Sequence, residues 1–180
     1  MTRILGLSGS LRAGSYNTAL LRAGRDLHPQ VVRIGSIADI PLYDADVESA
    51  GFPAPVEALK QEVAAADGLL LASPEYNNSV PGVLKNAIDW LSRPSGNIDN
   101  VFRDKPVAVF GASPGRFGTL SAQSAWLPVW RTLGARHWSG GRLLVSGAHK
   151  LFGEDHDLRD GEIRERLDRF IKGFIAFCKG

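Results

Sequence analysis

The chain has 180 residues, of which 44% are apolar and 22% charged, with a formal net charge of +2 and a sequence pI near 8.8. A chain of this length and composition is expected to form a single domain, residues 1–180, and to bury a full core. The charge is too small and too dispersed to favour nucleic-acid binding, and no apolar run reaches the roughly 18 residues that a membrane span needs.

The cysteine content and the amino terminus bear on the compartment. The single cysteine, Cys178, excludes an internal disulfide and favours a reducing environment. No basic leader followed by an apolar stretch precedes the first predicted strand, so no export signal is indicated. We therefore expect a cytoplasmic protein, with neither a membrane nor a nucleic acid as its partner.

Five short apolar runs are predicted to be β-strands. Several of them are continuously apolar, as expected for strands that are covered on both faces in a parallel sheet. In chain order the runs are residues 4–7, 31–34, 69–72, 107–110 and 143–145.

Helical periodicity occupies the segments between these runs. The clearest stripes of apolar residues lie in residues 16–27, 56–63, 83–91 and 163–177. A further pattern, at residues 119–133, contains Pro128, which would remove one backbone hydrogen bond and kink or divide the helix. Strands that alternate with helices predict a doubly wound α/β domain with a five-stranded parallel sheet and helices on both faces.

Ligands of open α/β sheets bind at the carboxyl ends of the strands, so the loops that follow strands are the candidate sites. The first loop, GSLRAGSYN at residues 9–17, enters a helix for which Ser15 is the predicted N-cap. Unpaired N–H groups at a helix start and the charged fork of Arg12 suit a phosphate. The glycine spacing is that of a P-loop, but Ser15 occupies the lysine position. We therefore predict a pocket that anchors a phosphate without cleaving a nucleoside triphosphate.

The second loop follows the third predicted strand and reads SPEYNNSVP, residues 73–81. Tyr76 offers a flat amphipathic surface, and the amides of Asn77 and Asn78 can pair with a planar heterocycle. Ser79 is the predicted N-cap of the next helix, with Pro81 in its first turn. The alternative is a proline-rich turn that leads into a helix and binds nothing.

The third loop, GASPGRFG at residues 111–118, follows the fourth predicted strand. Ser113, Gly115 and Arg116 can close the other side of a flat ligand. Taken alone, this loop also fits a glycine-rich turn with no ligand.

Three motifs in this order, each after a strand, resemble the NADPH-dependent FMN reductase family: GSLRAGSYN, PEYNNSVPGVLKNAIDWLSR and GASPGRFGT. The resemblance covers most of residues 4–123 and implies a flavodoxin-like fold, FMN as the cofactor and NADPH or NADH as the co-substrate. It also implies a homodimer packed through the helix after Ser79, with a tetramer possible. Residues 126–141 depart from the family's pattern, which leaves the tetramer and the role of the Trp-rich segment 126–138 open.

The resemblance assigns FMN contacts to all three loops. The expected cofactor-binding residues are Ser10, Arg12, Ser15, Tyr16, Asn17, Pro74, Glu75, Tyr76, Asn77, Ser113, Gly115 and Arg116. The first loop would hold the phosphate, the second would line the isoalloxazine and ribityl chain, and the third would complete the cradle. No catalytic side chain is assigned, because the flavin carries the hydride chemistry.

The activity that the resemblance implies is a ping-pong NAD(P)H oxidoreductase. Hydride would pass from NAD(P)H to N5 of FMN and then to a quinone, free flavin, azo compound or similar small acceptor. The main alternative is a flavodoxin-type electron carrier without NAD(P)H turnover, which the slightly basic charge disfavours. A third possibility is a flavin-binding regulatory or scaffold protein with a Trp-rich dimer surface.

Other polar clusters do not predict a metal site. The four histidines, at positions 28, 137, 149 and 156, have no partners at ligand spacing and are interpreted as surface or packing residues. Residues 155–162 resemble a calcium loop imperfectly, and we interpret them as an acidic turn that caps the last helix. Cys178 is interpreted as a packing residue near Phe174 and not as a nucleophile.

Overall fold

The computed structural model describes residues 2–180, and its central feature is a parallel sheet. The strands are β1 (Ile4–Ser8), β2 (Val32–Ile34), β3 (Gly68–Ala72), β4 (Pro106–Ala112), β5 (Arg136–His137) and β6 (Leu144–Val145). The order across the sheet is β2-β1-β3-β4-β5, and β6 pairs with the carboxyl end of β4. This order confirms the predicted flavodoxin-like, doubly wound α/β fold.

Seven α-helices connect and cover the strands in the described part of the chain. They are α1 (Tyr16–Leu27), α2 (Ala45–Ala50), α3 (Ala54–Ala65), α4 (Gly82–Leu91), α5 (Ile98–Val101), α6 (Leu120–Leu133) and α7 (Gly161–Lys179). The short helices α2 and α5 lie in segments for which no helix was predicted, since each is too short to show a periodic stripe. Among residues 2–180, no helix has the length and apolar character needed to cross a bilayer.

Alternate residues of the central strands contribute to two separate cores. Leu70 and Phe110 pack on the face that α1 and α7 cover, whereas Leu71 and Val109 pack on the face that α3, α4 and α6 cover. Every side chain of β3 and β4 is buried. Burial on both faces explains the continuously apolar runs.

The fifth strand position is filled by two short segments, which corrects the prediction of one strand at residues 143–145. β5 pairs with the start of β4 through Arg136 and Pro106, and β6 pairs with its end. Between them the chain leaves the sheet so that the Trp138 ring packs on Phe170, with ring centroids 4.9 Å apart. A Cβ at Gly141 would lie 2.7 Å from that indole, so a small residue is required there.

Helix α6 runs unbroken through Pro128, so of the two expected effects, a kink or a division, the division does not occur. Pro128 lies on the exposed side of α6. Because proline has no N–H, the Ser124 carbonyl loses its partner within the helix, but Ser124 is exposed as well. On the buried side, Trp126 and Trp130 stack with centroids 5.0 Å apart and hold both halves of the helix against the sheet.

The four tryptophans are all core residues. Trp90, Trp126 and Trp130 are fully buried and Trp138 is 9% exposed. The Trp-rich segment 126–138 therefore packs the interior, and the idea of a Trp-rich scaffold surface loses its structural basis.

The last helix begins at an acidic cap, in agreement with the interpretation of residues 155–162. The side chain of Asp160 accepts a hydrogen bond from Ile163 N at 2.8 Å. Cys178 is half-buried beside Phe174 and Gly68, and burial together with the charge of Asp67 raises the pKa of its thiol to about 11. A thiol with this pKa is a packing residue.

Candidate functional site

The carboxyl ends of β1, β3 and β4 open into one cleft of about 460 Å³, within the usual range for small-molecule sites. The lining residues are Ser10, Arg12, Ser15, Tyr16, Asn17, Pro74, Glu75, Tyr76, Ala112, Ser113 and Pro114. The fold therefore brings together all of the predicted site residues except Asn77, Gly115 and Arg116, which lie outside this lining.

One end of the cleft is formed by the start of α1. The Ser15 hydroxyl accepts a hydrogen bond from Thr18 N at 3.2 Å, which confirms Ser15 as the N-cap. The first backbone bond of the helix runs from Ala19 N to Ser15 O, so within residues 2–180 the N–H groups of Tyr16 and Asn17 have no acceptor. The first turn contains no acidic residue. Unpaired donors at the positive end of a helix favour an anion here.

Arg12 supplies the positive charge at this end of the cleft. Its guanidinium carbon lies 5.6 Å from the centroid of the Tyr16 ring. It forms no ion pair with any acidic side chain in the described chain, so its charge is available to a ligand. The Ser10 hydroxyl accepts from Arg12 N at 3.4 Å and thereby shapes the turn.

Asn17 has a structural task that the sequence did not indicate. Its Nδ2 donates to Ala112 O and its Oδ1 accepts from Ala112 N, both at 2.9 Å. Strand β3 ends at Ala72, opposite Phe110, so Ala112 extends past the end of its neighbour. The buried amide replaces the missing strand partner, which leaves Asn17 one side-chain N–H for the cofactor contact that the resemblance assigns to it.

The second loop begins with a tight two-residue turn and not with a helix cap. Tyr76 and Ser79 exchange backbone hydrogen bonds of 3.1 and 3.0 Å, and Asn77 and Asn78 between them have φ of 51° and 58°. Asparagine tolerates this left-handed conformation, so the turn explains both residues without a ligand. The predicted cap at Ser79 is wrong, because α4 starts at Gly82 with Pro81 at the cap position.

Two side chains attach the second loop to α6. Glu75 Oε2 accepts a hydrogen bond of 3.0 Å from Ala122 N in the first turn of α6. The buried Ser73 hydroxyl donates to Pro74 O at 3.1 Å and accepts from Trp126 Nε1 at 2.9 Å. Sequence reasoning missed Ser73, since its partner lies 53 residues away and leaves no local signal.

The third loop passes close beneath the second. A Cβ at Gly111 would lie 2.3 Å from Ser73 O, so only glycine fits where β4 passes this loop. Gly115 N donates to the Ser113 hydroxyl at 3.0 Å, which turns the chain away from the cleft. Arg116 and Phe117 follow on the surface, and Phe117 is 75% exposed.

A β2-β1-β3-β4-β5 sheet with an anion-fitting helix start and a cleft across its carboxyl edge defines a flavodoxin-like nucleotide-binding protein. Within that class, the chain belongs to the NADPH-dependent FMN reductase family, whose sequence model matches residues 2–150. The resemblance inferred from the three motifs is thereby confirmed.

Individual relatives match nearly the whole chain. An NAD(P)H-dependent FMN reductase of Pseudomonas aeruginosa is 43% identical over 179 residues, covering 98% of this chain and 95% of the relative. A quinone reductase of Pseudomonas putida is 36% identical over 173 residues, covering 95% and 91%. The solved structure of FerB, a flavoenzyme NAD(P)H:(acceptor) oxidoreductase from Paracoccus denitrificans, superposes with a TM-score of 0.88 at 30% identity, covering 99% and 98%.

Proposed function

We propose that this chain is an FMN-dependent oxidoreductase that uses NAD(P)H to reduce a quinone or another small planar acceptor, such as free flavin or an azo compound. The observation that carries the proposal is the start of α1, which suits an anion and lines the same cleft as the loops that contain Tyr76 and Ser113. The chain that has this cleft is a member of the FMN reductase family. When bound, FMN supplies the hydride chemistry, and the protein supplies position, electrostatics and access.

The first loop fits the phosphate of FMN. Arg12 brings an unpaired charge, and Ser10 and Ser15 bring hydroxyl groups beside the unpaired N–H groups of Tyr16 and Asn17. Ser15 is 2% exposed, so its hydroxyl works in a dry environment where a hydrogen bond to a charged group is strong. These residues would bind and orient the cofactor without taking part in proton transfer.

The second and third loops fit the two sides of a flat ring. Pro74 and Glu75 are held rigid by the bonds of the second loop to α6, and Ser113 of the third loop lines the same cleft. Tyr76 is 48% exposed, at the rim, where it can contact either the ring or an incoming acceptor. Asn77, Gly115 and Arg116 lie just outside, and the exposed guanidinium of Arg116 suits the phosphates of NAD(P)H.

The bleaching of bound flavin by NADPH tests this function against the electron-carrier alternative. Purified protein loaded with FMN is mixed anaerobically with NADPH, and the flavin absorbance is followed. Prompt bleaching, followed by recovery of the colour when a quinone is added, is the expected result. A yellow colour that persists with NADPH and with NADH, yet bleaches with dithionite, would indicate a carrier. Protein that takes up no FMN would refute the whole proposal.

We further infer that the single domain acts in the cytoplasm as a homodimer, packed through the surface beside α4. Leu42 is 83% exposed and follows Pro41, whose carbonyl accepts hydrogen bonds from Asn86 and Trp90 of α4. An apolar side chain presented next to that helix suits contact with a second copy. Light scattering of the wild type and of Leu42→Glu tests this, since a dimer that persists unchanged in the variant argues against this surface.

A further inference from the structure

The segment between β6 and α7 folds against the first loop, although the family match ends at residue 150. The Phe152 ring lies 5.2 Å from the Tyr16 ring, measured between centroids. Phe152 and Leu158 pair as an isolated antiparallel bridge, and Leu158 is buried. Residues 152–158 thus form a small hairpin that is anchored at its base and leans on the start of α1.

His156 occupies the tip of this hairpin in an uncommon backbone conformation. Its φ is 64°, in the left-handed region that residues other than glycine rarely adopt. Backbone bonds fix it there, from His156 N to Gly153 O and from Gly153 N to Asp157 O, each 2.9 Å. Such conformations persist where the surroundings hold them, and they cluster at functional sites.

The His156 ring lies directly against Gly14 of the first loop. A Cβ added at Gly14 would lie 2.6 Å from Nε2 and 2.8 Å from Cε1 of the imidazole. Glycine at this position therefore lets the ring approach the backbone between Arg12 and Ser15. Within residues 2–180, neither ring nitrogen takes part in a hydrogen bond, and the exposed side chain lies beside the first loop, outside the residues that line the cleft.

The charged groups around His156 are of both signs. Asp155 on the same hairpin is occupied by an ion pair with Arg159 and by the Asp157 backbone N–H, while Arg12 on the facing loop is unpaired. Glu154 and Asp157 are the other acidic residues of the hairpin, and both are exposed. An imidazole N–H on the hairpin and an unpaired guanidinium on the facing loop are both donors that recognise phosphate oxygens.

We propose that His156 is a further ligand of the FMN phosphate, held beside the first loop by the hairpin 152–158. The inference rests on the proposed function and extends it, since it assigns a binding role to a residue that lies beyond the family match. It also replaces the interpretation of His156 as a surface or packing residue.

Titration of the flavin-free full-length chain with FMN and with riboflavin tests the assignment, because riboflavin has the same ring but no phosphate. Flavin fluorescence gives both dissociation constants. His156→Ala should weaken FMN binding about tenfold, the effect of losing one charge-assisted hydrogen bond, and leave riboflavin binding unchanged. His156→Gly should do the same, since glycine keeps the left-handed backbone without strain.

His149→Ala is the matched control, because His149 is an exposed histidine on the preceding turn. It should bind both flavins as the wild type does. Wild-type affinity for FMN in both His156 variants would overturn the assignment, as would equal weakening for FMN and riboflavin, which indicates a packing role. A wild-type chain that binds no FMN would refute the proposed function itself, and the role of His156 with it.

Discussion

The substitution Asn17→Ala tests the link between α1 and the sheet edge at the site. In the wild type, the Asn17 amide satisfies both the N–H and the carbonyl of Ala112 at 2.9 Å. Asn17 is 4% exposed and Ala112 is 3% exposed. Alanine cannot reach either group, so the variant leaves two buried backbone groups without partners.

The expected loss of stability follows from those two groups. A buried polar group left without a hydrogen bond costs about 1–3 kcal/mol, so for two such groups we expect the free energy of unfolding to fall by roughly 2–6 kcal/mol. Since a domain of this kind is stable by only about 5–15 kcal/mol, the change is large. With a urea dependence of about 2 kcal/mol per molar, the midpoint of unfolding should fall by about 1–3 M.

Urea unfolding followed by circular dichroism measures this loss, with Arg22→Ala as the control. Arg22 is an exposed residue on the same helix, and its substitution should change stability by less than about 0.5 kcal/mol. Asn17→Asp keeps an acceptor for Ala112 N but sets a carboxylate against Ala112 O, so it should be at least as unstable as the alanine variant. If Asn17→Ala is as stable as the control, water replaces the amide at Ala112 and the reasoning is wrong.

Four further outcomes are expected. Arg12→Ala should lower the FMN content of purified protein at least tenfold with an unchanged unfolding midpoint, and full occupancy in the variant would contradict the phosphate assignment. Lys105→Met should lower the free energy of unfolding by roughly 1–2 kcal/mol. The reason is that Lys105 Nζ donates hydrogen bonds to Val63 O at 3.1 Å and to Ala66 O at 2.5 Å, at the end of α3. An unchanged urea midpoint in the variant would exclude this capping role. Cys178 should react with iodoacetamide at pH 8 at least about a hundredfold more slowly in the folded than in the unfolded chain, given its pKa of about 11. The same raised pKa should lower the free energy of unfolding as the pH rises from about 8.5 to 11, because over this range the Cys178 thiol ionises in the unfolded chain but not in the folded one. A urea midpoint that stays constant over that range would contradict this prediction.

The sequence determined the central strands, the longer helices and the loops that meet at the site. Continuous apolar runs predicted the central strands because both faces of a parallel strand are buried. The three loops that form the cleft were predicted from the sequence, since the carboxyl ends of parallel strands share one edge of the sheet. The cap at Ser15 was also readable, because an N-cap bonds to a residue only three positions away.

The tertiary structure decided which side chains are free to bind. The motifs predicted Asn17 and Glu75 as cofactor contacts. Their side chains hydrogen-bond to the backbone of Ala112 and Ala122, which lie 95 and 47 residues away in the chain. His156 faces Gly14 only because the last loop folds back over α1. Such contacts depend on how distant elements pack, and no local pattern of residue types records them.

The same distinction explains the local errors. Ser79 is a residue type that often caps helices, but here it pairs with Tyr76 to close a turn, and α4 starts only at Gly82. Pro128 has the chemistry of a helix breaker, but the buried Trp126 and Trp130 hold α6 together across it. Propensity acts through a few tenths to about 3 kcal/mol per residue, and the burial of two indoles can exceed that.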